Sequence, residues 1–219
     1  MVFIFVAEGP MIGRLLARIR SEERPGRGLI NDGTKLLHVE QNLSNEMVLF
    51  LLRDGLHARA LAKRLNVNHM TVSRKLKELM NGNVLDCRVE GRNKVFFLKK
   101  TPEARNFILA AELYKLSRTI EEYPRLRPIV EHIQKDPRVN LALLFGSHAG
   151  GTADEESDID IFVESEDRKL KSELESLDSK LSVKLGKFSA ESPLGKKIER
   201  NHVIIKGAEL FYDRLGLFK

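Results

Sequence analysis

The stretch LLFGSHAGGTADEESDIDIFVE, residues 143–164, decides how this chain is read. The run LALLF, 141–145, is a short apolar strand candidate that stops at Gly146-Ser147. A glycine there lets backbone approach a ligand closely. Ser147 is placed to cap a short helix over 147–152, whose free N–H groups suit a phosphate. The polar loop Asp154-Glu155-Glu156-Ser157 then returns to a second strand over 158–163. Residues two apart on a strand share a face. Asp158 and Asp160 therefore point one way, and Ile159, Ile161 and Val163 point the other. Two ionised carboxylates so close repel one another. A divalent cation removes that penalty, and Mg2+ is typically held by one or two carboxylates together with substrate phosphates. A phosphate cradle beside such a metal site is the equipment of nucleotidyl transfer, where metal and positioning do most of the work.

Working outward, the second half alternates helices and strands. Helices are expected at 128–135 and 167–180, and strands at 139–145, 158–163 and 182–185. A last helix precedes a terminal segment with Val203, Ile204 and Ile205. This pattern implies a mixed sheet with helices mainly on one face. Tyr123-Pro124 and Arg127-Pro128 mark the boundary with the first half.

In the first half, residues 21–35 are rich in Gly, Pro and charge and read as a loop or linker, and residues 2–6 read as a short strand. From Leu43 the apolar spacing becomes helical. Ser44 is expected to cap a helix carrying Met47, Val48, Leu51 and Leu52. A second short helix has Leu61, Ala62 and Leu65 on one face. A third, capped by Asn68, repeats Val72, Leu76, Leu79 and Met80 at helical spacing. Its opposite face carries Asn68, His69, Thr71, Arg74 and Lys75, a set suited to base edges in a major groove. Two β-prone runs, 84–90 and 94–98, flank Gly91-Arg92-Asn93 and read as a hairpin, with Arg88, Arg92 and Lys94 at or near its tip. Thr101-Pro102-Glu103 opens a long helix to about Ile120, which is the expected dimer interface. The domains are therefore an N-terminal segment and linker at 1–40, a DNA-binding unit with its linker helix at 41–122, and the mixed-sheet unit at 123–219, an α+β chain.

Charge follows this division. The net charge is +6 overall, but residues 1–100 carry +8 and residues 101–219 carry −2. The first half is built for a polyanion and the second is not. Cys87, the single cysteine, rules out a disulfide within this sequence and any Cys-rich metal motif; it is expected to be a small buried residue. The scattered histidines give no metal-ligand spacing. No apolar run approaches the roughly 18 residues that cross a bilayer, so a cytoplasmic protein without membrane contact is expected.

Residues 43–100 resemble a winged helix-turn-helix, on Leu61, Ala62, Leu65, Val67, Thr71, Val72, Ser73, Leu76, Leu79 and the wing at 84–98. That resemblance implies double-stranded DNA as partner, transcription regulation and a homodimer. Residues 128–213 resemble the minimal polymerase-β-like nucleotidyltransferases. The resemblance rests on Gly146-Ser147, the ten residues that follow, Asp158-Ile159-Asp160-Ile161 and the segment at 194–213. It implies nucleotide binding at Gly146 and Ser147, and metal-binding, catalytic carboxylates at Asp158 and Asp160. The cofactors it implies are Mg2+ or Mn2+ and an NTP, with ATP expected. The sequence departs from the family at His148 and Gly150, where family members carry arginine. It also departs at Val183-Lys184-Leu185, where active members place a third carboxylate. A lysine there could stand in the second-metal position or pair with Asp160. Two functions follow. One is a DNA-binding regulator whose second domain binds nucleotide. The other is an active transferase that moves a nucleotidyl group to a protein or other acceptor, as an antitoxin would. Position 184 separates them.

Overall fold

The computed structural model describes residues 32–218, with side chains from Asn42 onward. The strand expected at 2–6 and residues 21–31 of the loop expected at 21–35 lie outside the described residues, while residues 32–35 of that loop are helical. The chain divides into two compact units, and the division falls between Tyr114 and Lys115. Among the described residues no helix is long and apolar enough to cross a membrane.

The first unit begins with helix α1, Asp32–Leu51. No glycine or proline interrupts the chain between Lys35 and Asp54, so the helix starts well before Ser44. Ser44 is therefore not a cap. It lies inside the helix, 7% exposed, where a preceding turn already receives its N–H. The boundary expected at residue 40 falls inside α1 for the same reason. Strand β1, Leu56–His57, leads into helix α2, Ala58–Leu65, which buries Leu61, Ala62 and Leu65. Helix α3, His69–Asn81, begins where expected. The Asn68 carboxamide oxygen accepts from the Met70 N–H at 2.8 Å. Val72, Leu76 and Leu79 are buried along one stripe. Strands β2, Leu85–Glu90, and β3, Asn93–Leu98, form an antiparallel hairpin closed by Gly91-Arg92, and β1 pairs with the far edge of β3. The result is a winged helix-turn-helix arrangement with strand order β1-β3-β2. Cys87 is only half-buried in β2. Helix α4, Pro102–Glu122, is tied to the end of α3. The Thr101 hydroxyl accepts from the Ala104 N–H at 3.2 Å and donates to the Asn83 carbonyl at 2.7 Å.

The second unit is built on a four-stranded sheet of order β6-β5-β4-β7. Its strands are β4, Ala142–Phe145; β5, Ile159–Glu164; β6, Leu181–Gly186; and β7, Val203–Lys206. Strand β4 runs antiparallel to β5 and β7, while β5 and β6 are parallel. Alternation along the strands sorts their residues. One face buries Ala142, Leu144, Ile159, Ile161, Val163, Leu181, Val183, Val203 and Ile205 against helix α5, Leu126–Lys135, and helix α7, Arg168–Glu175. Each Leu or Ile fully removed from water there contributes about 1.5–3 kcal/mol before entropy is charged. The opposite face carries Leu143, Phe145, Asp160, Phe162 and Ile204. Phe162 meets Phe188 edge-on, and Phe188 meets Phe211 of helix α9, Ala208–Arg214. Helix α8, Pro193–Arg200, lies against β4 on that side. Helix α7 stops at Glu175, shorter than the expected 167–180. The Asp178 carboxylate then accepts from the Lys180 N–H at 2.8 Å and pairs with Arg125, fixing a turn into β6.

Candidate functional site

The site grows out of one cross-strand pair. Phe145, the last residue of β4, sits opposite Asp160 of β5. Directly opposed residues place their Cβ atoms about 4.5–5.5 Å apart. The chain leaves β4 at Phe145 in extended conformation and turns at Gly146, whose φ is +75°. A Cβ at Gly146 would lie 2.5 Å from the Asp160 Oδ2. The carboxylate therefore rests directly against the turn, a contact open only to a residue without a side chain. Asp160 is half-buried, while Asp158, one residue ahead of the strand, is exposed.

Helix α6, Gly146–Gly150, follows. Ser147 is its second residue and makes no side-chain cap, because the helix starts one residue earlier than the sequence pattern suggests. The Ser147 carbonyl accepts from the Thr152 N–H at 3.0 Å, and its hydroxyl makes no hydrogen bond among the described residues. His148 is 6% exposed and packs edge-on against Tyr123, with ring centroids 4.9 Å apart. Its Nδ1 lies 3.0 Å from the Asp158 carbonyl, which only accepts, so Nδ1 carries the proton. Burial pulls the His148 pKa below the usual imidazole range, against the raising effect of the Asp158 carbonyl and the Asp160 charge. His148 thus positions the strand entry at Asp158 as a neutral ring. Gly150 is covered by Asn201. Turned with its nitrogen toward the Ala149 carbonyl and its oxygen toward the Gly150 N–H, the Asn201 amide makes both hydrogen bonds at 3.0 Å. Neither position 148 nor position 150 supplies a cation to the turn.

The parallel register corrects the expectation for β6. Ser182, half-buried, is the residue opposite Asp160; Lys184 is opposite Phe162 and exposed. Lys184 forms no ion pair among the described residues, so the pairing with Asp160 considered above is not made. Position 182 also lacks a third carboxylate. The other acids of the opening stretch are used elsewhere. The Asp154 carboxylate accepts from the Ser157 hydroxyl at 2.7 Å, which lowers its pKa, and Lys180 donates to the Glu155 carbonyl.

The donor set suits one hydrated divalent cation. It offers two carboxylates two residues apart, Asp158 just ahead of β5 and Asp160 on it, neither in an ion pair among the described residues. No group of three metal-ligating side chains occurs among the described residues. The sequence pattern alone did not reveal Ser182, Tyr123 or Asn201, because strand register and helix packing bring them to the site.

The residues expected to face DNA lie in the first unit. His69, Arg92 and Lys94 are exposed, and Thr71 is half-buried. The Asn68 oxygen is taken by the cap. Arg74, with a 54% exposed side chain, reaches Glu78 at 3.3 Å. Lys75 does not lie on the exposed face: it is 7% exposed and pairs with Glu78 at 2.6 Å. Position 75 follows one residue after Arg74 and turns toward the stripe of Val72, Leu76 and Leu79, so only its ammonium tip reaches an acid.

No curated protein matches the chain. Among solved structures, it is similar to the adhesin competence repressor AdcR from Streptococcus pyogenes, with 21% identity over 52% of this chain and 80% of that one and a TM-score of 0.35. It is also similar to a MarR family transcription regulator, with 19% identity over 55% of this chain and 84% of that one and a TM-score of 0.32. Residues 127–214 match the family described as polymerase beta, nucleotidyltransferase, and with the Gly146 turn set against Asp160 this unit is a nucleotidyltransferase-type domain.

Proposed function

We propose that the protein is a DNA-binding regulator whose nucleotidyltransferase-type domain binds a nucleoside triphosphate together with Mg2+ or Mn2+. The observation that carries this reading is the approach of the Asp160 carboxylate to the Gly146 turn, which brings a group suited to a cation beside the backbone of the turn. Asp158 and Asp160 would hold the cation, which when bound neutralises the triphosphate and polarises it. The Ser147 hydroxyl and the backbone of the turn orient the phosphates. Ser182 stands beside Asp160, so no side chain of β6 is placed to take a proton from an attacking hydroxyl. This favours binding over transfer. Calorimetric titration with ATP and Mg2+ is expected to give saturable binding that weakens at least tenfold in Asp160→Asn. Labelled ATP offered with candidate acceptors is expected to transfer nothing. A wild-type protein that binds no triphosphate would remove the reading. Label transfer that needs both aspartates would make the protein an enzyme with a protein or other acceptor.

The first unit supports the DNA half of the reading by a separate observation. His69 and Arg74 of α3 and Arg92 and Lys94 of the wing are all exposed, and their half of the chain carries the excess positive charge. In the Arg74→Ala, Arg92→Ala double variant, duplex affinity is expected to fall and the slope of log affinity against log salt to flatten by about 2. An unchanged slope would argue against DNA contact by these residues.

A further inference from the structure

The site as described lacks a positive side chain for the triphosphate. A triphosphate carries three to four negative charges, and the two aspartates use up the charge of a single divalent cation. Sites that hold such chains supply arginine or lysine close to the phosphoryl oxygens. His148 is buried, with its ring packed on Tyr123 and its Nδ1 directed at the Asp158 carbonyl, and Gly150 has no side chain and is covered by Asn201.

One cation on the same face of the sheet meets the need. The Lys197 Nζ lies 5.3 Å from the centroid of the Phe145 ring, and Phe145 is both the register partner of Asp160 and the residue before Gly146. Lys197 is exposed and forms no ion pair among the described residues. Its helix is held at both ends. The Ser192 hydroxyl caps the start by accepting from the Gly195 N–H at 2.9 Å, and Ile198 is fully buried. Asn201, just past the helix end, grips the Ala149 and Gly150 backbone of α6. The lysine is therefore carried on an element clamped to the turn. An ammonium over an aromatic face can still donate from the side turned away from the ring.

We infer that Lys197 is the phosphate-binding cation of this site and contacts the polyphosphate chain of the nucleotide, the role for which the turn itself has no charged side chain. The inference rests on the nucleotide-binding reading above. Lys184, exposed and one same-face position farther along β6, is the natural comparator.

The test is calorimetric titration of the full-length protein with ATP and with AMP, in Mg2+, for wild type, Lys197→Ala, Lys197→Gln, Lys197→Arg and Lys184→Ala. Lys197→Gln keeps the stem over Phe145, and thermal melting of each variant checks the fold. The expected result is a loss of ATP affinity of tenfold or more in Lys197→Ala and Lys197→Gln. AMP affinity should change less than threefold, Lys197→Arg should recover most of the loss, and Lys184→Ala should lose less than Lys197→Ala. Unchanged ATP affinity in both Lys197 variants overturns the assignment and leaves nucleotide binding standing. Equal losses for ATP and AMP also overturn it, because they mark a structural role. A wild-type protein that binds neither ligand overturns the nucleotide reading and this inference with it.

Discussion

Gly146→Ala is expected to cost the protein at least thirtyfold in Mg2+-dependent nucleotide affinity while lowering its melting temperature only modestly. The two effects part company for a physical reason. At φ +75° an L-residue is strained by about 1–2 kcal/mol, and this is the whole backbone charge. The new methyl would sit 2.5 Å from the Asp160 Oδ2, and 3.4 Å from the Asp160 Cβ and Cγ. The carboxylate oxygen is the far end of a rotatable side chain, so the cheapest relief is for the carboxylate to swing away. The core beneath, Ile159 and Ile161, need not move. The swing removes a metal ligand from its place beside the turn and fills the space through which phosphate would approach the backbone. Calorimetry with ATP and Mg2+, set against a thermal melt, measures both quantities. Binding within threefold of wild type would show that the turn does not touch the nucleotide.

The parts of this architecture that were legible in the sequence are those written in local periodicity. The apolar spacing of Val72, Leu76 and Leu79 predicts α3, and the aspartate-isoleucine alternation predicts a strand over 158–163, found at Ile159–Glu164, and which of its faces is core. The failures share a cause as well. Ser44 and Ser147 are good cap residues in places where the helix had already begun, because backbone propensity upstream decided the start. Lys75 reads as exposed by its charge, yet its aliphatic stem is long enough to be buried while the ammonium pairs with Glu78.

The site repeats the lesson at longer range. Reading Val183-Lys184-Leu185 as the triplet that faces the aspartates assumes a register, and a parallel pairing is fixed by how β5 and β6 dock, not by either strand's own sequence. The structure puts Ser182 beside Asp160 instead. Lys197 lies 33 positions beyond the end of the opening stretch, inside the 194–213 segment that carries part of the resemblance, but that segment does not say which of its residues faces the site. It becomes visible only when α8 is seen lying over Phe145.

That dependence on α8 makes a second large effect expected, this time on stability. In Gly195→Ala the added Cβ would lie 1.8 Å from the Ser189 carbonyl oxygen and 2.8 Å from its carbon, with the Ala190 Cα at 3.0 Å. All three are backbone atoms, so no side-chain rotation relieves the clash. The turn at 189–192 is itself hydrogen-bonded, with the Ser192 hydroxyl donating to the Ser189 carbonyl at 2.8 Å and accepting from the Gly195 N–H. Either that cap opens or α8 shifts off the sheet. A shift would pull the buried Ile198 out of place and loosen the aromatic group of Phe188 and Phe211. Losing a cap costs about 1 kcal/mol, and forcing overpacked backbone apart adds about 1–3 kcal/mol. The expected destabilisation is therefore about 2–4 kcal/mol in chemical denaturation of the second unit. The site should fail with it even though neither aspartate is touched, because Lys197 and Asn201 ride on the displaced helix. A variant that melts like wild type would mean that the 189–192 turn gives way freely and does not hold α8 in place.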